Sequence, residues 1–421
     1  MKAFIKKSKP KGSITAPPSK SYTIRALMGA ALARGESEII HPLISDDTGN
    51  ALAVLGQIGV KISQQKDIWQ LSGGNFHQAE GELFCGESAA TLRFMTTICA
   101  LVPGRCRLTA APSLALRPVE PLIQALRQLG VNASSQGGTA PITVVGGGLR
   151  GGTLELAGDI SSQFVSALLF IAPFAENGLS IKLTTPLQSK PFVLMTMDCL
   201  SKFGIKIGFS TELDEFKITK QNHQPTKYEV EGDWSSASYF LALGAISGGI
   251  EVNNLNPESL QGDKIILNFL SNMGAQVTIS PDSVIVKKKR LKAIRANLAD
   301  CIDLLPTIAV LAAVADGSSE LSGIERAVIK ESNRVAAVKE GLQRMGIAVN
   351  EARNRLIITG SEPKGALINS HGDHRIAMAF SLLGSLAGDT VIDGAECVAK
   401  TFPNFWLKLK SLGGRVKLNG Q

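Results

Sequence analysis

The sequence predicts an α/β protein of two domains, each assembled from three copies of one repeating unit, and three observations carry that prediction. First, a glycine that closes a helix-like run and opens a strand-like stretch recurs at Gly59, Gly130, Gly204, Gly274, Gly346 and Gly413. The local sequences are QIGVKIS, QLGVNAS, KFGIKIG, NMGAQVT, RMGIAVN and SLGGRVK, and successive glycines lie 71, 74, 70, 72 and 67 residues apart. Second, a polar helix start followed by an apolar-rich run recurs in another phase. Its copies stand at Ser19-Lys20-Ser21, Glu87-Ser88, Ser161-Ser162-Gln163, Ser235-Ser236, Asp303 and Asp373-His374-Arg375. Third, a chain of 421 residues exceeds what one hydrophobic core supports.

Each glycine-terminated helix begins some dozen residues earlier with a polar motif: Ser45-Asp46-Asp47, Leu116-Arg117-Pro118, Ser189-Lys190-Pro191, Gln261-Gly262-Asp263, Lys330-Glu331 and Lys400-Thr401. In the fifth copy Val335, Val338, Leu342 and Met345 fall at helical spacing, which predicts an amphipathic helix starting at Lys330 and capped by Gly346. Strands read as alternating or apolar stretches bounded by glycine, such as VIVKKK, LIITG and ITVVG. Such a unit is too long for a solenoid module, so the six copies divide three and three. The changeover is expected near Glu231-Gly232-Asp233, with the strand from Lys2 to Lys7 joining the later half. The expected domains are residues 19–231, and residues 1–18 with 232–421. Pro17-Pro18 and the segment around Glu231 are then the candidate hinges.

Composition bounds the function. Hydrophobic residues make up 44% and charged residues 19%, as in an ordinary globular chain. A net charge of +8 favours anionic partners. Aromatic residues are only 5% and the one basic block, Lys287 to Arg290, follows a strand-like stretch, so small acidic substrates fit better than nucleic acid. No apolar run approaches membrane-spanning length, no apolar leader follows MKAFIKKSKP, and the six cysteines lack zinc or disulfide spacing. A cytoplasmic location is expected.

Helix N-termini present unpaired N–H groups and a partial positive charge. Here the starts also carry Lys20 and Arg25, Arg93, Arg117, Ser161 to Gln163, Ser189, Lys330 and Arg334, Arg375, and Lys400. So many fixed donors suit ligands with several phosphate and carboxylate groups, held in a cleft lined by these ends. Glu331 and Asp303 stand out as carboxylates placed among cations, and are the acid and base candidates. On the residues alone, Asp303 equally fits an N-cap, Ser161 and Ser162 fit caps, Gln163 fits a surface amide, and Lys330 to Arg334 fit a solvated first turn. HExxH, GxxxxGK[ST] and a dinucleotide loop are absent.

Ten segments in order then carry a resemblance: PPSKSYTIRALMGAAL, ESAATLRF, ALRPVEPL, SSQFVSALL, LQSKPF, EGDWSSASYFLA, CIDLLPTIAVLAA, IKESNR, GDHRIAMAFSL and CVAKTFPNF. Together they resemble the 5-enolpyruvylshikimate-3-phosphate synthase family, also called 3-phosphoshikimate 1-carboxyvinyltransferases. The resemblance implies an inside-out α/β fold with three βαβαββ units per domain. It further implies a monomer without metal or organic cofactor, moving the enolpyruvyl group of phosphoenolpyruvate to the 5-hydroxyl of shikimate 3-phosphate. By motif, Lys20, Arg117, Arg334, Arg375 and Lys400 would hold phosphoenolpyruvate, with Gln163 and Lys20 reaching both ligands and Ala89 beside the phosphoenolpyruvate site. Ser21, Arg25, Ser161, Ser162, Ser189, Asp303 and Lys330 would hold shikimate 3-phosphate, with Asp303 the base and Glu331 the acid.

Three positions depart from the common family pattern. Glu87-Ser88-Ala89-Ala90 replaces Asn-Ala-Gly-Thr, so Ala89 puts a methyl group where glycine lets the backbone approach phosphoenolpyruvate. Phe192 stands where tyrosine is common, and Arg326 where asparagine is expected. The related transferases that place enolpyruvyl on a UDP-sugar are the alternative. Their lysine is followed by asparagine and their loop offers a cysteine, whereas here Ser21 follows Lys20 and no cysteine lies between Glu87 and Arg93.

Overall fold

The computed structural model describes residues 1–420. They gather into two compact units, Pro18–Val230 and a second formed by Met1–Pro17 with the chain from Glu231 onward. Each unit has its own hydrophobic core. Six four-stranded sheets, three per unit, share one topology. In a representative sheet, Glu82–Phe84 runs parallel to Gly104–Thr109, which pairs antiparallel with Thr139–Gly146, itself antiparallel to Asn132–Gln136. The chain order within that repeat is strand, helix, strand, helix, strand, strand.

Three sheets are completed by distant segments. Lys227–Glu229 is the parallel edge strand beside Gly35–Ile40. Lys2–Lys6 enters between Thr390–Asp393 and Arg415–Asn419, and Gly12–Thr15 runs parallel to Gly249–Asn253. Backbone pairing therefore ties the first strands of the chain to its second half.

Helices occupy the centre of each unit. Lys20–Leu32, Ala89–Ile98 and Ser162–Ile171 fill one, and Trp234–Ser247, Leu305–Ala312 and His374–Ala387 fill the other. Their apolar residues lie all round the helix rather than on one stripe, so burial on every side is the stable arrangement. The sheets lie outside, with one face on the helices and one in water, as in the alternating burial of Arg355–Thr359. The architecture is the inside-out α/β fold.

Five central helices carry side-chain caps, from Ser19, Ser88, Ser161, Asp233 and Asp373. The start expected at Ser235-Ser236 is corrected: Asp233 caps that helix by accepting from Ser236 N at 2.6 Å, so both serines lie inside it. Leu305–Ala312 is entered from the 3-10 turn Ile302–Leu304, and Asp303 caps nothing.

All six repeat glycines adopt φ between +80° and +103°. After each, the next residue donates to a carbonyl five positions back: Val60 to Leu55, Val131 to Leu126, Ile205 to Leu200, Ala275 to Leu270, Ile347 to Leu342 and Gly414 to Leu409. This Schellman closure needs a left-handed residue, which glycine adopts without steric cost.

The helix expected from Lys330 begins instead at Arg334 and runs Arg334–Arg344. Asn333 caps it, accepting from Ala336 N at 3.1 Å, and Lys330 is extended at φ −87°, ψ −152°. Lys330 and Glu331 therefore lie on the connection from the 3-10 turn Glu325–Ile329. Arg117 likewise precedes its helix, Glu120–Gln128, and Lys400 ends the 3-10 turn Ala395–Lys400 before Phe405–Ser411. Arg117 precedes Pro118, and a residue before proline is disfavoured in helical conformation.

Candidate active site

In the unit that begins at Glu231, one guanidinium gathers three carboxylates. The Arg334 side chain is 0% exposed. Its Nε donates to Asp373 Oδ2 at 2.7 Å, its Nη1 to Asp303 Oδ1 at 2.6 Å, and its Nη2 to Glu331. Asp303 also accepts from Arg375 Nη2 at 2.9 Å and faces Lys330 Nζ at 3.8 Å. Asp373 orients both arginines: it caps the helix His374–Ala387 by accepting from Arg375 N at 2.9 Å. Ser332 Oγ adds a bond to Asp373 at 3.1 Å, and Lys400 Nζ reaches Gly372 O at 3.1 Å.

Packing sets this geometry. Gly341, on the helix Arg334–Arg344, lies against the Phe380 ring of the helix His374–Ala387; an added Cβ would stand 2.4 Å from that ring. The missing side chain lets the two helices approach closely enough for Arg334 to reach Asp373.

The electrostatics follow from burial among opposite charges. Burial alone would raise the Asp303 carboxyl, but Arg375, Lys330 and Arg334 outweigh it and hold the group far below the usual carboxylate range. Burial would lower Arg334 and Arg375, and the surrounding carboxylates reverse that and raise both. Lys330 is brought down to about 8, chiefly by burial, with Asp303 opposing and Arg334 and then Arg326 adding to the fall. Arg326 itself donates to Ala299 O at 2.6 Å, so this departure from the family pattern places a further cation near Lys330.

In Pro18–Val230, Lys20 Nζ pairs with Asp47 Oδ2 at 3.1 Å. One turn on, Arg25 donates to Ser21 O at 2.9 Å, Phe192 O at 3.0 Å and Thr196 Oγ1 at 2.8 Å, and lies 5.5 Å and 5.8 Å from the Phe94 and Phe192 ring centroids. Phe192 thus contributes its carbonyl and ring to Arg25. Arg93 Nη1 donates to Gln163 Oε1 at 2.7 Å and Ser161 Oγ at 3.3 Å. Ser161 caps the helix that holds Ser162 and Gln163, and Ser189 takes a left-handed φ of 54° ahead of the helix Lys190–Lys202. Ala89 is the first residue of its helix, directly after the Ser88 cap.

Arg117 is 7% exposed, and its Nε and Nη2 have no hydrogen-bond partner among the described residues. A buried guanidinium with unmet donors is costly unless an anion completes it. The described residues hold no cluster of three or more His, Cys, Asp or Glu side chains placed to bind a metal ion. No helix is long and apolar enough to cross a membrane.

Asp303, Lys330, Glu331, Arg334, Arg375 and Lys400, expected as site residues, thus converge in one unit, and Lys20, Ser21, Arg25, Ala89, Arg117, Ser161, Ser162, Gln163 and Ser189 belong to the other. Sequence reasoning missed Asp373, Asp47 and the part of Arg93 in orienting Ser161 and Gln163. Asp373 was legible only as a helix cap; its pairing with Arg334, 39 positions away, is a tertiary fact.

A family model described as EPSP synthase (3-phosphoshikimate 1-carboxyvinyltransferase) matches residues 5–409. A 3-phosphoshikimate 1-carboxyvinyltransferase of Dehalococcoides mccartyi (strain 195) is 52% identical over 418 residues, covering 99% of each chain. One of Methanocaldococcus jannaschii is 41% identical over 416 residues, covering 97% of each. Among solved structures, EPSP synthase from Acinetobacter baumannii superposes with a TM-score of 0.84 at 26% identity, covering 100% of both chains. The enolpyruvyl transferase NikO from Streptomyces tendae shares the fold, with a TM-score of 0.79 at 17% identity over 99% of this chain and 98% of its own. With the family model and these relatives spanning nearly its whole length, the chain belongs to the EPSP synthase (3-phosphoshikimate 1-carboxyvinyltransferase) family.

Proposed function

We propose that this chain transfers the enolpyruvyl group of phosphoenolpyruvate to the 5-hydroxyl of shikimate 3-phosphate and releases phosphate. The observation that carries the mechanism is the Arg334 cluster, in which one buried guanidinium holds Asp303 and Glu331 together while Arg375 and Lys330 attend Asp303. Transfer to a UDP-sugar is the alternative, and the family model and the relatives' names do not favour it.

Glu331 supplies the proton to the methylene carbon of phosphoenolpyruvate. C2 becomes electron-poor, and the 5-hydroxyl oxygen adds there as Asp303 takes its proton. The product of that step is a tetrahedral ketal phosphate. In the second step the Glu331 carboxylate recovers a proton from the new methyl group, the C–O bond to phosphate breaks, and the Asp303 proton leaves with phosphate. Glu331 ends as it began, and no net proton is lost.

Both carboxylates are paired within the cluster, and its cations hold Asp303 too strongly for it to be an effective base. The phosphate and carboxylate groups of phosphoenolpyruvate compete for Arg334, Arg375 and Lys400. As those cations turn to the ligand, Asp303 gains proton affinity where the reaction needs it. By the family resemblance Lys20, Ala89, Arg117 and Gln163 serve the same ligand, and the unmet Nε and Nη2 donors of Arg117 support its part. Ser21, Arg25, Ser161, Ser162, Gln163, Ser189 and Lys330 hold shikimate 3-phosphate, the serines as neutral donors and the cations as charge partners.

Phosphate release with phosphoenolpyruvate, compared between shikimate 3-phosphate and UDP-N-acetylglucosamine as acceptors, tests the assignment. Turnover is expected with shikimate 3-phosphate. Turnover only with the UDP-sugar, or with neither, overturns it.

A further inference from the structure

One carboxyl beside the Arg334 cluster has no role in that scheme. Asp263 lies on the 3-10 turn Gly262–Ile265 and is 3% exposed. Its Oδ2 accepts from Ser235 Oγ, while its Oδ1 is buried without a hydrogen-bond partner among the described residues. The charged and titratable groups facing it come from three packed elements. They are Asp233 at the cap of the helix Trp234–Ser247, Cys301 and Asp303 at the turn ahead of Leu305–Ala312, and Arg375 on the helix His374–Ala387. Arg375 is the one cation in this set, and it is already bonded to Asp303 at 2.9 Å.

Two carboxylates and one guanidinium make a site where both acids cannot be ionised without penalty. We propose that Asp263 is a positioning residue that tunes the Asp303–Arg375 pair by carrying or releasing one proton. The inference rests on the role of Asp303 as the base that serves the 5-hydroxyl. Burial, then the charge of Asp303, push the Asp263 carboxyl up to about 7. With Asp263 protonated, Arg375 is left wholly to Asp303, which is then at its least basic. With Asp263 ionised, a second negative charge acts on Asp303 and competes for Arg375, so Asp303 accepts a proton more readily. Asp263 touches no reacting atom and acts through Asp303 and Arg375.

Asp263→Asn keeps the shape and removes the titration. In the wild type, kcat is expected to fall as pH drops through about 7 along a one-proton limb. In D263N that limb disappears and kcat at pH 8 drops roughly tenfold, while KM for phosphoenolpyruvate moves less than about threefold. Ser235→Ala removes the hydroxyl bond that favours the ionised form, so it shifts the limb to higher pH without deleting any charge. A purely structural role would move neither limb. An infrared titration supplies a readout without turnover: a carboxylic C=O band lost near pH 7 in the wild type and missing from D263N. An unchanged limb in D263N, or the absence of that band, overturns the proposal. Failure of the wild type to turn over shikimate 3-phosphate would instead overturn the assigned reaction, and the infrared titration would still decide the ionisation of Asp263.

Discussion

Glu331→Gln separates chemistry from architecture because the amide keeps the shape of the carboxyl group and removes its acidity. Its carboxylate is 18% exposed and accepts from Arg334 Nη2. Arg334 keeps Asp303 at 2.6 Å and Asp373 at 2.7 Å in the variant, and the glutamine oxygen still accepts from Nη2. Weakening that charge-assisted bond costs about 1 kcal/mol. Asp373→Asn is the contrast: its carboxylate is 0% exposed and bonds Arg334, Ser332 and the Arg375 backbone, so breaking that buried pair costs about 3–5 kcal/mol. An amide cannot donate the proton that the methylene carbon needs, so E331Q loses at least ~100-fold in turnover, about 2.7 kcal/mol of barrier. The assay is phosphate release with both substrates, beside calorimetric binding of each ligand and a melting curve. Binding near wild type, an intact fold and lost turnover are expected. Turnover near wild type removes Glu331 from the mechanism, and a melting point depressed as far as that of D373N refutes the structural side of the reasoning.

Other consequences are as specific. Ala89→Gly should tighten inhibition by glyphosate, a phosphoenolpyruvate competitor slightly longer than the substrate, by about tenfold, or about 1.4 kcal/mol; an unchanged or weaker inhibition constant counts against the methyl group narrowing the pocket. Gly341→Ala forces a Cβ to 2.4 Å from the Phe380 ring, so about 1–3 kcal/mol of stability should be lost in urea unfolding, and turnover should fall as Arg334 shifts from Asp373. His223 is 3% exposed, stacks on Phe174 at 5.3 Å, and is pushed by burial down to about 3. The unfolded chain binds that proton near pH 6.5 and the native chain does not until about pH 3, so native stability falls as pH drops through this window, by about 2 kcal/mol at pH 5. His223→Phe should therefore flatten the difference in unfolding free energy between pH 7 and pH 5, and an equal pH dependence in both proteins would remove His223 as its source.

Much of the fold was legible because it depends on local rules repeated six times. A glycine that must take positive φ to end a helix leaves the same mark at Gly59 as at Gly413, and serine or aspartate caps mark the buried helices. Local rules failed where tertiary context chose between competing starts. Lys330 and Glu331 read as a first turn, but Asn333 took the cap and left them on an extended connection, where their side chains turn to Asp303 and Arg334. Asp303 read equally as a cap or as a base candidate, and only the tertiary structure shows that it caps no helix and pairs with Arg334 and Arg375.

By itself the sequence determined the α/β class, the repeat, the family resemblance and the roster of cations and carboxylates, since each is written in residue types at short or regular spacing. Only the tertiary structure decided how those charges pair. Arg334 to Asp373 spans 39 positions, Arg375 to Asp303 spans 72, and Asp263, in the chain only part of a polar helix start, comes within the electrostatic reach of both Asp303 and Arg375. The physical reason is that charge pairing and desolvation depend on distance in space and on the exclusion of water, and both are settled only when the helices pack.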